Sequence, residues 1–172
     1  IVSAVRVSKG SINKAIAGQY PPGSTFKMMV ALAALEDGII QPEEEVYCPG
    51  TYELGNHTFH CWRRWGHGDV NLTEALKRSC DVFFYDVARR VGIDRIVQMA
   101  ERFGLGGVTD VELTGERSGL VPTRAWKEAV YGEPWQGGET LITGIGQGFM
   151  LTTPIQLAVM AARIGNGVFK VM

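Results

Sequence analysis

Residues Ser24 to Asp37 run Ser-Thr-Phe-Lys-Met-Met-Val-Ala-Leu-Ala-Ala-Leu-Glu-Asp, with Gly23 before and Gly38 after them. The flanking glycines and the unbroken periodic run predict a helix here. A helix on a domain surface carries one apolar stripe and a polar back, whereas this one is apolar on nearly every face. The fold must therefore place it in the middle and pack other elements around it. The chain is long enough to do so: 172 residues, 45% hydrophobic and 20% charged, make one globular domain with a real core, neither disordered nor fibrous. A formal net charge of −1 supplies no positive field and argues against nucleic acid as a partner.

Local patterns place the other elements. Ile1 to Val7 is rich in β-branched residues and reads as a strand of a main sheet, ended by Ser8-Lys9-Gly10-Ser11. Residues 46 to 70 form a small β excursion, in which Tyr47, Thr51 to Leu54 and His57 to Trp62 read as short strands and Gly55-Asn56 as a hairpin turn. Asn71-Leu72-Thr73-Glu74 matches a capping box and opens a helix to about Arg78; a second helix spans about Val82 to Val91, and Asp94 caps a third that stops at Gly104. Residues 104 to 148, rich in Gly, Pro and Thr, predict ordered but irregular connections. Thr153-Pro154-Ile155-Gln156 supplies an N-cap, a first-position proline and a third-position glutamine, so a last helix runs to Ile164 and closes at Gly165. No stretch reaches the roughly 18 to 20 apolar residues of a membrane-spanning helix, and no signal peptide opens the chain, so any anchor is expected outside it. Ile1 is no initiator methionine and an alternating apolar stretch begins at Lys170-Val171-Met172, so both ends are expected to be cuts.

Ser24 and Lys27, three apart at the start of the buried helix, share one face. A serine hydroxyl is a poor nucleophile until a base takes its proton, and burial of an amine favours its neutral, proton-accepting form. The helix N-terminus also stabilises negative charge developing near Ser24. Alone, the pair is equally an N-cap and an ordinary first-turn lysine. Two features shift the balance: the rigid entry Pro21-Pro22-Gly23 and a second motif, Ser79-Cys80-Asp81, at the break between two helices.

Together, residues 20 to 27 and 79 to 81 strongly resemble the Ser-x-x-Lys and Ser-x-Asn pair of penicillin-binding proteins and serine β-lactamases. The run from Asn13 to Met172 resembles the elongation-type class B enzymes, the penicillin-binding protein 2 group. The shared features are the Asp at the third place of the second motif, Trp65-Gly66-His67-Gly68, Phe83-Phe84-Tyr85, Glu116-Arg117-Ser118-Gly119, Trp135-Gln136-Gly137-Gly138, Gly144-Ile145-Gly146-Gln147-Gly148 and Thr153-Pro154-Ile155-Gln156.

This resemblance implies an α/β (α+β) penicillin-binding transpeptidase or serine β-lactamase-like fold, with a central helical region and a partial antiparallel sheet, spanning part of that domain over residues 1 to 172. It implies a D,D-transpeptidase that crosslinks peptidoglycan stem peptides during elongation and is acylated by β-lactams. Ser24 would be the nucleophile, Lys27 the general base, Ser79 the relay to the leaving amine, and Asp81 the residue holding both in register, besides capping the next helix. It further implies a periplasmic domain of an inner-membrane-anchored protein, partnered by the membrane glycosyltransferase and scaffold proteins of the elongation machinery, and no organic cofactor. Relatives carry a third motif, Lys-Thr/Ser-Gly. No such tripeptide occurs in this sequence, and its strand is expected beyond Met172, leaving this chain weak or inactive. A non-enzymatic penicillin sensor or a zinc-stabilised binding module are the alternatives.

Cys48, Cys61 and Cys80 are the only cysteines, and His67 lies between the last two. Cys3His is a closed tetrahedral shell that marks a structural zinc site. His60 neighbours Cys61 on a strand and points to the opposite face, and His57 has no evident partner. A Cys48–Cys61 disulfide with Cys80 free, or three inert thiols, are the other readings. A bound zinc would pin the second motif to the β excursion without entering the chemistry. Trp62, Arg63, Arg64 and Trp65 fit either a grip on glycan or peptide carboxylate or plain rim packing.

Overall fold

The computed structural model describes residues 13–111 and 113–167. The expected first strand, Ile1 to Val7, and the stretch at Lys170 to Met172 lie outside them. The element order is α1 (Lys14–Ala17), a 3-10 turn (Gly23–Phe26), α2 (Lys27–Glu36), β1 (Val46–Cys48), β2 (Thr51–Leu54), β3 (His57–His60), β4 (Gly68–Val70), α3 (Leu72–Lys77), α4 (Asp81–Val91), α5 (Ile93–Arg102), α6 (Arg124–Tyr131), α7 (Gly137–Gly144) and α8 (Pro154–Asn166).

Helix α2 is central, packed against α4 and α5. Met29, Val30, Ala33 and Ala34 are fully buried, as a helix apolar on most faces requires. Phe83, Phe84, Val87 and Ala88 present the inner face of α4, while Arg89 and Arg90 end it near its negative pole. Burying each large apolar side chain stabilises the fold by about 1.5–3 kcal/mol. Gly144 lets α7 close on α4: a Cβ there would sit 2.5 Å from that of Ala88.

The β excursion is two separate two-stranded antiparallel sheets. In one, β1 pairs with β4 and sets Cys48 opposite Gly68. In the other, β2 pairs with β3 across the Gly55-Asn56 turn and sets Thr51 opposite His60. Isolated bridges Tyr20 to Thr152 and Leu120 to Leu151 tie the approach to the 3-10 turn, and the chain before α6, to the segment leading into α8.

Several expectations need correction. Residues 104 to 148 are not irregular throughout, because α6 and α7 lie there. Their signals are weak: α6 has a Thr123 cap and a left-handed Gly132 behind it, and α7 opens on Gly-Gly and depends on packing against α4. Asp94 sits inside the first turn of α5, and Gly92 at φ 80° takes the cap. The last helix runs to Asn166 and closes on left-handed Gly167, because Gly165 is tolerated inside it. The strand expected from His57 to Trp62 stops at His60, and β4, too short to show alternation, was missed. The capping box at Thr153 and Gln156 forms as expected. No helix among the described residues is long and apolar enough to cross a membrane.

Candidate active site and metal centre

The first turn of the central helix is 3-10, with the Lys27 amide bonded to the Ser24 carbonyl. In a three-residue turn, side chains three apart stack above one another, which aligns Ser24 with Lys27 better than an α turn would. The turn is held by main chain. The Gly23 amide donates to the Gly146 carbonyl at 2.9 Å, and Tyr20 and Thr152 exchange two amide bonds at 2.8 Å each. Gly146, at φ 72°, approaches so closely that a Cβ would lie 2.1 Å from the Gly23 carbonyl oxygen. Behind it, buried Lys127 pairs with Glu139 at 2.5 Å, and Glu139 accepts the Gln136 amide at 2.7 Å, fixing the start of α7.

Helix α3 delivers the second motif through its C-terminal turn. The Ser79 amide bonds to the Leu76 carbonyl and the Cys80 amide to the Ala75 carbonyl, a Schellman closure. Its left-handed position normally holds glycine, yet here it is Ser79, at φ 51°. A non-glycine residue there costs about 1–3 kcal/mol and persists only where the surroundings over-determine it.

That conformation brings the four predicted residues together. The Ser79 hydroxyl donates to Ser24 Oγ at 2.7 Å. Lys27 Nζ, 1% exposed, donates to Ser79 Oγ and the Ser79 carbonyl at 3.0 Å each and to Asp81 Oδ1 at 2.6 Å. Three acceptors match the three N–H donors of an ammonium group, the form from which a proton must leave before Lys27 can act as a base. The contact from Lys27 to Ser24 thus runs through Ser79, where helix spacing suggested a direct one. Asp81 is the first residue of α4 rather than its cap, and its Oδ2 accepts the backbone amide of Trp62 at 2.8 Å.

Cys48, Cys61, His67 and Cys80 are all buried, and their ligand atoms lie within 4.8 Å of one another. His67 Nδ1 stands 3.6 Å from Cys48 Sγ and 3.5 Å from Cys61 Sγ. A tetrahedral zinc with ordinary Zn–S and Zn–N bonds has S···N edges of about 3.6 Å, so this donor set fits such an ion. No disulfide joins the three cysteines. A hydrogen bond from the Cys80 thiol holds the Cys61 thiol well below its usual range, and that same bond, with burial, pushes Cys80 up. His60 is exposed on β3 and takes no part. Sequence reasoning left Trp62 unassigned; its indole donates to the Ser79 carbonyl at 3.0 Å, a contact that no residue pattern announces.

A serine, a lysine, a second serine and an aspartate thus converge at the first turn of a buried central helix. The chain belongs to the penicillin binding protein transpeptidase domain family, whose description matches residues 6–171. It is 42% identical over 163 residues to peptidoglycan D,D-transpeptidase MrdA of Escherichia coli (strain K12), covering 93% of this chain and 26% of that protein. The chain thus spans about a quarter (26%) of the length of that curated relative. Among solved structures, it is 47% identical to Pseudomonas aeruginosa PBP2 in complex with WCK 5153, at a TM-score of 0.87 over 90% of this chain and 36% of that one. PBP2 in complex with MreC from Helicobacter pylori is 37% identical, at a TM-score of 0.88 over 91% of this chain and 29% of that one. The fold is the mixed α and β fold of this family.

Proposed function

We propose that the protein carrying this chain is a peptidoglycan D,D-transpeptidase of cell elongation, acting through an acyl-enzyme on Ser24 and acylated by β-lactams. The observation that carries the reading is the hydrogen-bonded series Ser24 Oγ, Ser79 Oγ, Lys27 Nζ and Asp81. With Lys27 as the neutral amine, Ser24 Oγ attacks the carbonyl carbon of the penultimate D-alanine of a stem peptide, its proton passes to Ser79 Oγ, and the Ser79 hydroxyl proton passes to the Lys27 lone pair. The C–N bond to the terminal D-alanine then breaks, and the departing amine takes a proton back along Ser79. An amino group of a neighbouring strand attacks the resulting ester, and the proton it loses restores the Ser24 hydroxyl. Asp81 holds Lys27 and, through Trp62, its own loop, but exchanges no proton in this scheme.

Cys48, Cys61, His67 and Cys80 hold zinc in this reading, supported by the fit of the donor set. The ion supplies folding energy and ties the β excursion to the second motif. The protein works on the periplasmic face of the inner membrane, anchored through residues outside this chain. Its partners are the membrane glycosyltransferase and scaffold proteins of the elongation machinery, the latter supported by the MreC complex of the H. pylori relative.

Native mass spectrometry with and without penicillin tests both claims at once. The expected spectrum shows an adduct on the Ser24 peptide, absent from Ser24→Ala, and one zinc lost on unfolding. An adduct that survives Ser24→Ala would sink the nucleophile assignment. Labelling of the whole protein without turnover of stem peptide would point to a sensor, and zinc without labelling to a binding module.

A further inference from the structure

We propose that Trp62 is a positioning residue for acylation, acting through the Ser79-Cys80-Asp81 turn; this deepens the acyl-transfer reading above and rests on it. Core packing does not explain a tryptophan here, because Trp62 is 66% exposed. Its polar contacts do. The indole N–H donates to the Ser79 carbonyl at 3.0 Å and is shared with the Arg78 carbonyl at 3.2 Å, while the backbone amide donates to Asp81 Oδ2 at 2.8 Å. One residue thereby grips both ends of the three-residue motif. Its ring also packs edge-on against His67, with centroids 5.4 Å apart, so the grip is set from the cysteine and histidine cluster to which the neighbouring Cys61 belongs.

Ser79 needs that grip. It stands left-handed where a glycine would rest freely, and only in that conformation does its hydroxyl reach Ser24 Oγ at 2.7 Å. Of the donors on its carbonyl, Lys27 Nζ also serves Ser79 Oγ and Asp81, and so changes its bonding as the proton moves. The indole N–H takes no part in proton transfer and holds the carbonyl in place throughout. Without it the turn is free to relax toward the right-handed region, which withdraws Ser79 Oγ from Ser24 Oγ.

The loss therefore falls on the chemical step. In the whole natural polypeptide that contains these residues, Trp62→Phe keeps an aromatic ring and the backbone amide and deletes the indole donor together with part of the bicycle. Replacement by β-(3-benzothienyl)alanine keeps the full bicyclic shape and deletes the same donor. Both are expected to slow the first-order constant of penicillin acylation about 10- to 100-fold, with the dissociation constant of the preceding complex, the zinc content and the melting temperature unchanged. Acylation at the parent rate by both variants, or a loss confined to the dissociation constant, would overturn the assignment while Ser24→Ala still abolishes the adduct. An adduct that persists in Ser24→Ala would remove the reading beneath it.

Discussion

Asp81 divides its carboxylate between two partners, Lys27 Nζ at 2.6 Å and the Trp62 amide at 2.8 Å. Its side chain is 12% exposed and that of Lys27 1%, so neither loses much of its mutual attraction to solvent screening. Taking away one member of a buried pair leaves the other without compensation, typically at 3–5 kcal/mol. Asp81→Ala is thus expected to lower stability by about that amount, read as a shift of the urea midpoint at constant slope, and to abolish the penicillin adduct. Asp81→Asn removes the charge and leaves one acceptor oxygen for two donors, its NH2 facing the other donor, so it should lose nearly as much stability as the alanine variant, with acylation also impaired. An asparagine variant with the parent's midpoint would contradict a charge-based role.

Between elements, ion pairs brace the central helix against its neighbour. Glu36 at the end of α2 accepts from Arg102 at 3.0 Å and also from Arg95, and Arg95 bonds Asp37 at 2.7 Å. The Arg102 guanidinium first, and Arg95 second, hold the Glu36 carboxyl down at about 2 against an ordinary 4.5. A depressed carboxyl stabilises the fold above its unfolded value and loses that contribution as acid protonates it. Stability should therefore decline from about pH 4.5 toward about pH 2, and Glu36→Gln should flatten that part of the melting-temperature profile, by less in high salt. The sequence announces some elements and hides others for physical reasons. The central helix is legible because apolar residues on most faces leave an unambiguous pattern, and the last helix because Thr153 and Gln156 cap it in both directions. Helices α6 and α7 are not, since Gly137 and Gly138 are poor helix formers and the packing of Gly144 on Ala88 that rewards them is remote in sequence. Ser24, Lys27, Ser79 and Asp81 could be named from motifs; the left-handed Ser79 and the two bonds of Trp62 that hold it depend on tertiary placement alone.

At the scale of the whole molecule, the site draws on three parts of the chain: the central helix, the α3–α4 break and the Gly-rich segment before α8. The sequence holds no Lys-Thr/Ser-Gly tripeptide, the family's further contributor of an oxyanion donor and a carboxylate anchor. Losing one oxyanion donor slows acyl transfer by roughly 10² to 10³. A whole natural polypeptide in which that tripeptide is replaced is expected to take up penicillin slower by at least about that factor, timed by adduct mass; an unchanged rate would show that the third motif is dispensable. The apposition of Gly146 on Gly23 has its own consequence. The turn that carries Ser24 rests there on a neighbouring main chain, with no side chain between them to trim or swap. Variation around this site is therefore limited by loop length more than by residue identity: a lineage can exchange side chains along the rim, but it cannot lengthen, shorten or thicken this seam without displacing Ser24.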